Sequence, residues 1–191
     1  MKALLLSVRP EHAINILNGN KTLELRKSVP KGFKGWVYAY VTEGKPYMCY
    51  FTNPLQLECL NGTVPFRFWF DEYIAYEYYA DDNIYFAKRP QDLGYNADEV
   101  LKHLCLTREQ FKWYGNRKDL YAWHIKNLDI FPKPMQLGEF YKTKGKYLQD
   151  YERAVLDYKN RLIESESTLK NISITKAPQS YMYIYVKEGL K

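Results

Sequence analysis

A chain of 191 residues, 46% hydrophobic and 26% charged, is long enough to bury a real core and too apolar for global disorder. Its formal charge is +6, and no apolar run approaches the roughly 18 residues of a membrane span, so nothing in the composition calls for a membrane partner. The charge is unevenly spread: residues 1–45 carry +5, residues 46–99 carry −6 and residues 100–149 carry +6. Two basic segments brought to one face favour a polyanionic partner through counterion release, and a solvated surface explains the same excess.

Residues 3–8 (ALLLSV) form a short apolar run without helical period and predict a buried first strand; the early Arg9, Glu11 and His12 argue against a signal peptide. Pro10 suits the first turn of a helix, Glu11 complements its dipole, and Gly19 predicts its left-handed stop. Ala13, Ile14 and Leu17 supply the apolar face of that helix. From Thr22 the pattern alternates, with Thr22, Glu24 and Arg26 on one side and Leu23 and Leu25 on the other. A half-buried strand follows, its polar side turned to a cleft or to solvent.

A third strand is expected over 36–42 and a hairpin around Asn53-Pro54. After the Asn61-Gly62 turn, residues 63–71 read as a strand with Phe66, Phe68 and Phe70 on one face, and Pro65 suggests that its first part lies at an edge. Residues 72–99 are acidic and tyrosine-rich, without clean period until a helix over 98–104. Thr107 predicts the cap of a further helix to about 114. A strand over 121–131 is expected to end at Pro132 and Pro134, followed by a helical turn within 136–141. Leu148, Tyr151, Val155, Tyr158 and Leu162 repeat at helical spacing and predict an amphipathic helix over 146–166, and residues 181–186 close the chain as a strand. Strands scattered among short helices predict an α+β fold, a mixed or antiparallel β-barrel with helices packed outside.

Cys49, Cys59 and Cys105 are odd in number and lack CxxC spacing, which argues against a disulfide framework or a zinc site and suits a reducing cytoplasm. No phosphate-binding loop, dinucleotide fingerprint or HExxH is present, and no cofactor or metal is expected. Trp36, Tyr38 and Tyr40 share a strand face, suited to base stacking or to core packing.

The richest chemistry lies at 21–26. Lys21, Thr22, Glu24 and Arg26 place an amine, a hydroxyl, a carboxylate and a guanidinium within six residues, and Arg9 precedes the helix. Lys21 is a phosphate ligand, a catalytic amine or a solvated turn residue. Glu24 and Arg26 either pair with each other or form a site in which Glu24 accepts a base N–H and Arg26 grips phosphate. Thr22 reads as a strand-entry residue whose hydroxyl bonds locally and His12 as solvated, while Arg9 with Pro10 is either an anion contact at the helix mouth or part of an ordinary capped helix.

The run Ser-Val-Arg-Pro-Glu-His-Ala at 7–13, followed by Ile16-Leu17-Asn18-Gly19-Asn20-Lys21-Thr22-Leu23-Glu24-Leu25-Arg26, resembles the signature of the ASCH domains. Asn61-Gly62-Thr63-Val64, Tyr121-Ala122-Trp123-His124-Ile125 and Ala177-Pro178-Gln179-Ser180-Tyr181 resemble the larger bacterial and phage members. The resemblance implies a PUA-like barrel over 1–191, one domain with insertions at about 72–99 and 142–172. It also implies binding of RNA or a modified nucleoside in a basic cleft beside the first helix, through Arg9, Lys21, Thr22, Glu24 and Arg26. One branch of the family hydrolyses N4-acetylcytidine, and others are proposed ribonucleases; an enzyme of either kind would use Lys21 and Glu24. Glu24 occupies the place of that branch's nucleophilic threonine, which its chemistry cannot replace. A protein-interaction module using the 146–166 helix is the remaining alternative.

Overall fold

The computed structural model describes residues 2–52, 56–79, 84–88, 97–142 and 173–186. The helix expected over 146–166 lies outside these residues. The chain is α+β and divides into two compact units, one of 1–10, 35–67 and 129–191, the other of 11–34 and 68–128.

In the first unit, β1 (Lys2–Val8) pairs in parallel with β3 (Gly35–Val41) and antiparallel with β12 (Tyr181–Val186). Every residue of β1 after Lys2 is buried, so its unalternating apolar run reads as it should for an inner strand covered on both faces. Ala3, Leu5, Tyr38, Tyr40, Val64 and Ile184 share one core cluster. Tyr38 is wholly buried there, against Phe131 and Phe140, which gives it to packing rather than to base stacking. The six-stranded order is β10–β6–β3–β1–β12–β11, with β6 at Val64–Phe70, β10 at Lys126–Met135 and β11 at Phe140–Lys142. As a whole β6 is an inner strand, with Pro65 at its second residue. The expected hairpin is present: β4 (Cys49–Thr52) pairs antiparallel with β5 (Gln56–Cys59).

The second unit carries the antiparallel sheet β2–β9–β7–β8, with β2 at Leu23–Arg26, β7 at Tyr73–Tyr79, β8 at Ile84–Lys88 and β9 at Leu120–His124. Leu23, Leu25, Ile74, Leu120 and Ala122 pack with Val100 and Leu104 of α2 (Ala97–Leu104) and Phe111 of α3 (Arg108–Gly115). Thr107 caps α3 through a capping box with Gln110, as its hydroxyl and spacing predict. α1 (Pro10–Leu17) is the helix expected from Pro10, but it buries Ala13 and Ile16 rather than Ala13, Ile14 and Leu17.

The strands form sheets of six, four and two among the described residues, within the α+β class expected. Two expectations need correction. The expected 121–131 strand is two strands broken at Ile125, and β10 passes through both Pro132 and Pro134. It can do so because it is the outer strand of its sheet, where a missing N–H breaks no ladder. Residues 23–26 are buried on both faces, so the polar side of β2 faces neither solvent nor an open cleft.

Candidate functional site

The local fold around Lys21 follows from two helix ends. α1 stops at Gly19, whose φ of 75° is the left-handed conformation that glycine adopts without strain. The Asn20 N–H then returns to the Asn15 carbonyl and the Gly19 N–H to Ile16, a Schellman ending. The Lys21 N–H shares the Asn15 carbonyl at 3.0 Å. α2 ends in the same motif: Leu106 N–H returns to Leu101 and Cys105 N–H to Lys102, with Cys105 at φ 54°. Two α2 carbonyls stay open in that motif, those of His103 and Leu104. The Thr22 N–H takes the first at 3.0 Å and the Lys21 ammonium the second at 2.7 Å. Lys21 therefore ties the carboxy ends of two helices, where the helix dipole favours a cation.

β2 sets the remaining geometry. Glu24 lies opposite Trp123 and Arg26 opposite Tyr121 on β9. Arg26 Nη2 donates to Glu24 Oε1 at 2.7 Å, and Lys21 Nζ lies 3.5 Å from Glu24 Oε2. Lys21, Glu24 and Arg26 are 2%, 3% and 9% exposed. Two cations are thus buried around one carboxylate, a local excess of one positive charge that the α2 carbonyl partly offsets. Glu24 Oε2 is buried and meets the Lys21 ammonium only at 3.5 Å, a long contact. Burial pushes the Glu24 carboxyl up, but Arg26 and Lys21 outweigh it and hold the group below its ordinary value, so it is ionised.

Lys21, Thr22, Glu24 and Arg26 are brought together beside α1; Arg9 is exposed in the other unit. The Thr22 hydroxyl bonds not locally but to His103 Nδ1, at 2.7 Å. His12 is half-buried rather than solvated, and burial, then Lys21, lower its pKa while Glu24 raises it. It belongs to the cluster's electrostatics. A signal existed: His12 precedes Ile16 by four, one helical turn along the face that is buried. His103 and the Leu104 carbonyl had no local signal, since α2 is some eighty residues from the motif (|i−j| of 83 for Lys21 to Leu104). His124, directly across from Leu23, is half-buried, and burial lowers its pKa.

A groove of about 350 Å³ in the second unit, lined by Tyr76, Tyr85, Val100 and Phe111 with Arg108 and Lys112, contains none of the residues singled out from sequence. Among the described residues no group of acidic, histidine and cysteine side chains is arranged to hold a metal, and no helix is long and apolar enough to cross a membrane.

No known family profile matches the sequence, and no curated protein matches it. The fold does find neighbours. It is similar to the crystal structure of ASCH from Zymomonas mobilis, with a TM-score of 0.51 at 14% identity over 97% of this chain and 89% of that one. A variant of the same Zymomonas mobilis protein aligns with a TM-score of 0.52, at the same identity and coverage. The architecture is that of ASCH proteins.

Proposed function

We propose that this protein is an ASCH-type domain that binds RNA or a modified nucleoside, with Lys21, Thr22, Glu24 and Arg26 forming the binding site. The fold likeness across 97% of the chain supports reading residues 1–191 as one such domain. The observation that carries the proposal is Glu24 Oε2, a buried, ionised carboxylate oxygen that meets no donor closer than the Lys21 ammonium at 3.5 Å. Such an oxygen is costly to leave unsatisfied, and a base N–H or exocyclic amine is the donor that completes it. Arg26 and Lys21 supply the positive charge that favours a phosphate nearby. Because the cluster is buried, binding requires side chains beside α1 to move aside. Arg9 supplies a separate phosphate contact.

The test is titration of single-stranded and structured RNA, and of cytidine and N4-acetylcytidine, at several salt concentrations. Arg26→Lys keeps the charge but loses the planar fork, and is expected to weaken binding about tenfold. Arg9→Ala is expected to lower the slope of log affinity against log salt by about 1. Thermal melting checks that each variant is folded. No binding at low salt, or binding indifferent to both changes, overturns the proposal.

A hydrolase acting on acylated cytidine or on RNA is a second reading, favoured by one observation. His12 is pushed toward its neutral form beside an ionised Glu24 and an amine at Lys21, and a neutral imidazole is what a general base requires. Product formed from N4-acetylcytidine or labelled RNA in the presence of chelator, and lost in His12→Ala, supports it. No product at high protein concentration removes it.

A further inference from the structure

The hairpin β4–β5 brings together two cysteines that are ten positions apart in sequence. Cys49 and Cys59 are direct cross-strand partners, and both are exposed. The hydrogen-bond pattern fixes what kind of pair they make. One step back, Met48 faces Leu60, and the Leu60 N–H donates to the Met48 carbonyl at 2.7 Å. Narrow and wide pairs alternate along an antiparallel ladder, so Cys49 and Cys59 form a pair without backbone hydrogen bonds. In such pairs the Cα atoms are about 4.5 Å apart and the side chains closest, within the span a disulfide bridges. The neighbouring Cys59 thiol is the main reason the Cys49 thiol is pushed above its ordinary value.

The base of the hairpin holds this pair in place. The Asn61 side chain accepts from the Met48 N–H at 2.7 Å and donates to the Gly44 and Pro46 carbonyls at 2.7 and 3.2 Å. Tyr50 and Glu58, the next pair along, join their side chains at 2.9 Å. Alternation puts these on the opposite face, leaving the two thiols on the open side with Leu57, which is 59% exposed.

We propose that Cys49 and Cys59 are a redox-active dithiol that closes into a reversible intramolecular disulfide, with a low-molecular-weight disulfide as oxidant. One cysteine thiolate attacks a sulfur of the oxidant, breaks its S–S bond and expels one small thiolate, leaving a mixed disulfide. The partner cysteine thiolate attacks the protein sulfur of that mixed disulfide and expels the second small thiolate. Two protein thiols are oxidised, one small disulfide is reduced to two thiols, and the two protons pass to the thiolates released. A two-stranded sheet is marginal by itself, so the bond adds rigidity to the hairpin. Cys105, at the end of α2 in the other unit, takes no part.

Oxidised glutathione is the probe, applied to the full chain at neutral pH and read by intact mass and peptide mapping after alkylation. The expected product is monomeric, has a 49–59 link and no retained glutathione, and reverts with dithiothreitol. Cys105→Ser is expected to behave identically. Cys49→Ser and Cys59→Ser are each expected to retain one glutathione on the remaining hairpin cysteine, because no partner resolves it. Two retained glutathiones on the unsubstituted chain, a disulfide between two copies, or no reaction overturns the proposal.

Discussion

Two arginines in this molecule make ion pairs of nearly equal length in opposite surroundings. Arg26 meets Glu24 at 2.7 Å with both side chains almost fully buried. Arg67 meets Asp129 at 2.8 Å, but the Asp129 side chain is 43% exposed. Arg67 also donates to the Tyr38 hydroxyl at 2.8 Å and lies over the Trp36 ring at 4.3 Å. It is held by stacking and one neutral acceptor, so its carboxylate is one support among several. Arg26 shares its carboxylate with Lys21, and the three have no comparable access to water. Distance alone therefore says little about what a pair contributes; the surrounding dielectric and the count of charges decide it.

The largest expected effect is the contrast between the two carboxylates. Glu24→Gln leaves two buried cations without a counter-charge and is expected to cost about 3–5 kcal/mol. Asp129→Asn removes one half-exposed partner of a stacked arginine and is expected to cost less than about 1 kcal/mol. Urea unfolding of both variants at one pH measures the difference. Equal losses would break the comparison.

The second effect sharpens the role of charge count. Lys21→Met removes the bond to the Leu104 carbonyl but leaves Glu24 and Arg26 as a balanced pair. The lost cap is expected to cost about 1–3 kcal/mol, less than Glu24→Gln. Hydrogen exchange should speed most at the end of α2, where Leu106 and Cys105 return to Leu101 and Lys102. A loss as large as that of Glu24→Gln would mean that the helix tie, and not the excess charge, dominates the cluster.

The parts of this design that were legible in the sequence are those with local causes. Pro10 and Gly19 bracket α1, Thr107 with Gln110 starts α3, and the Lys-Thr-Leu-Glu-Leu-Arg run announces a strand with chemistry on one side. What stayed hidden depends on partners far along the chain. Alternation in β2 suggested a wet face, because nothing near residue 24 announces Trp123 across from it. Cys105 ends α2 in a conformation usually left to glycine or asparagine, so that helix end carried no sequence mark. The Cys49–Cys59 pairing needed the hairpin register, which a search for CxxC spacing cannot supply. Pro132 and Pro134 read as breakers until β10 is known to be an outer strand.

The smallest effect tests whether His12 belongs to the buried charges. Burial and Lys21 depress its folded pKa below 6.5, so the unfolded chain binds the proton more tightly. Stability from His12 is then fully present above pH 6.5 and is lost as pH falls from there toward the folded value. Glu24 acts in a separate window: its folded pKa is below 4.5, so its contribution is present above 4.5 and lost only in stronger acid. Between roughly pH 5 and 7 the slope of stability against pH therefore reports histidine. His124 is shifted in the same direction and supplies a background slope. His12→Asn is expected to flatten the curve in that window without touching the acid limb, measured by urea midpoints across pH. In Lys21→Met the His12 proton is easier to keep, so the slope should also shrink. If neither variant alters the slope, His12 is not part of the cluster, and the general-base reading falls with it.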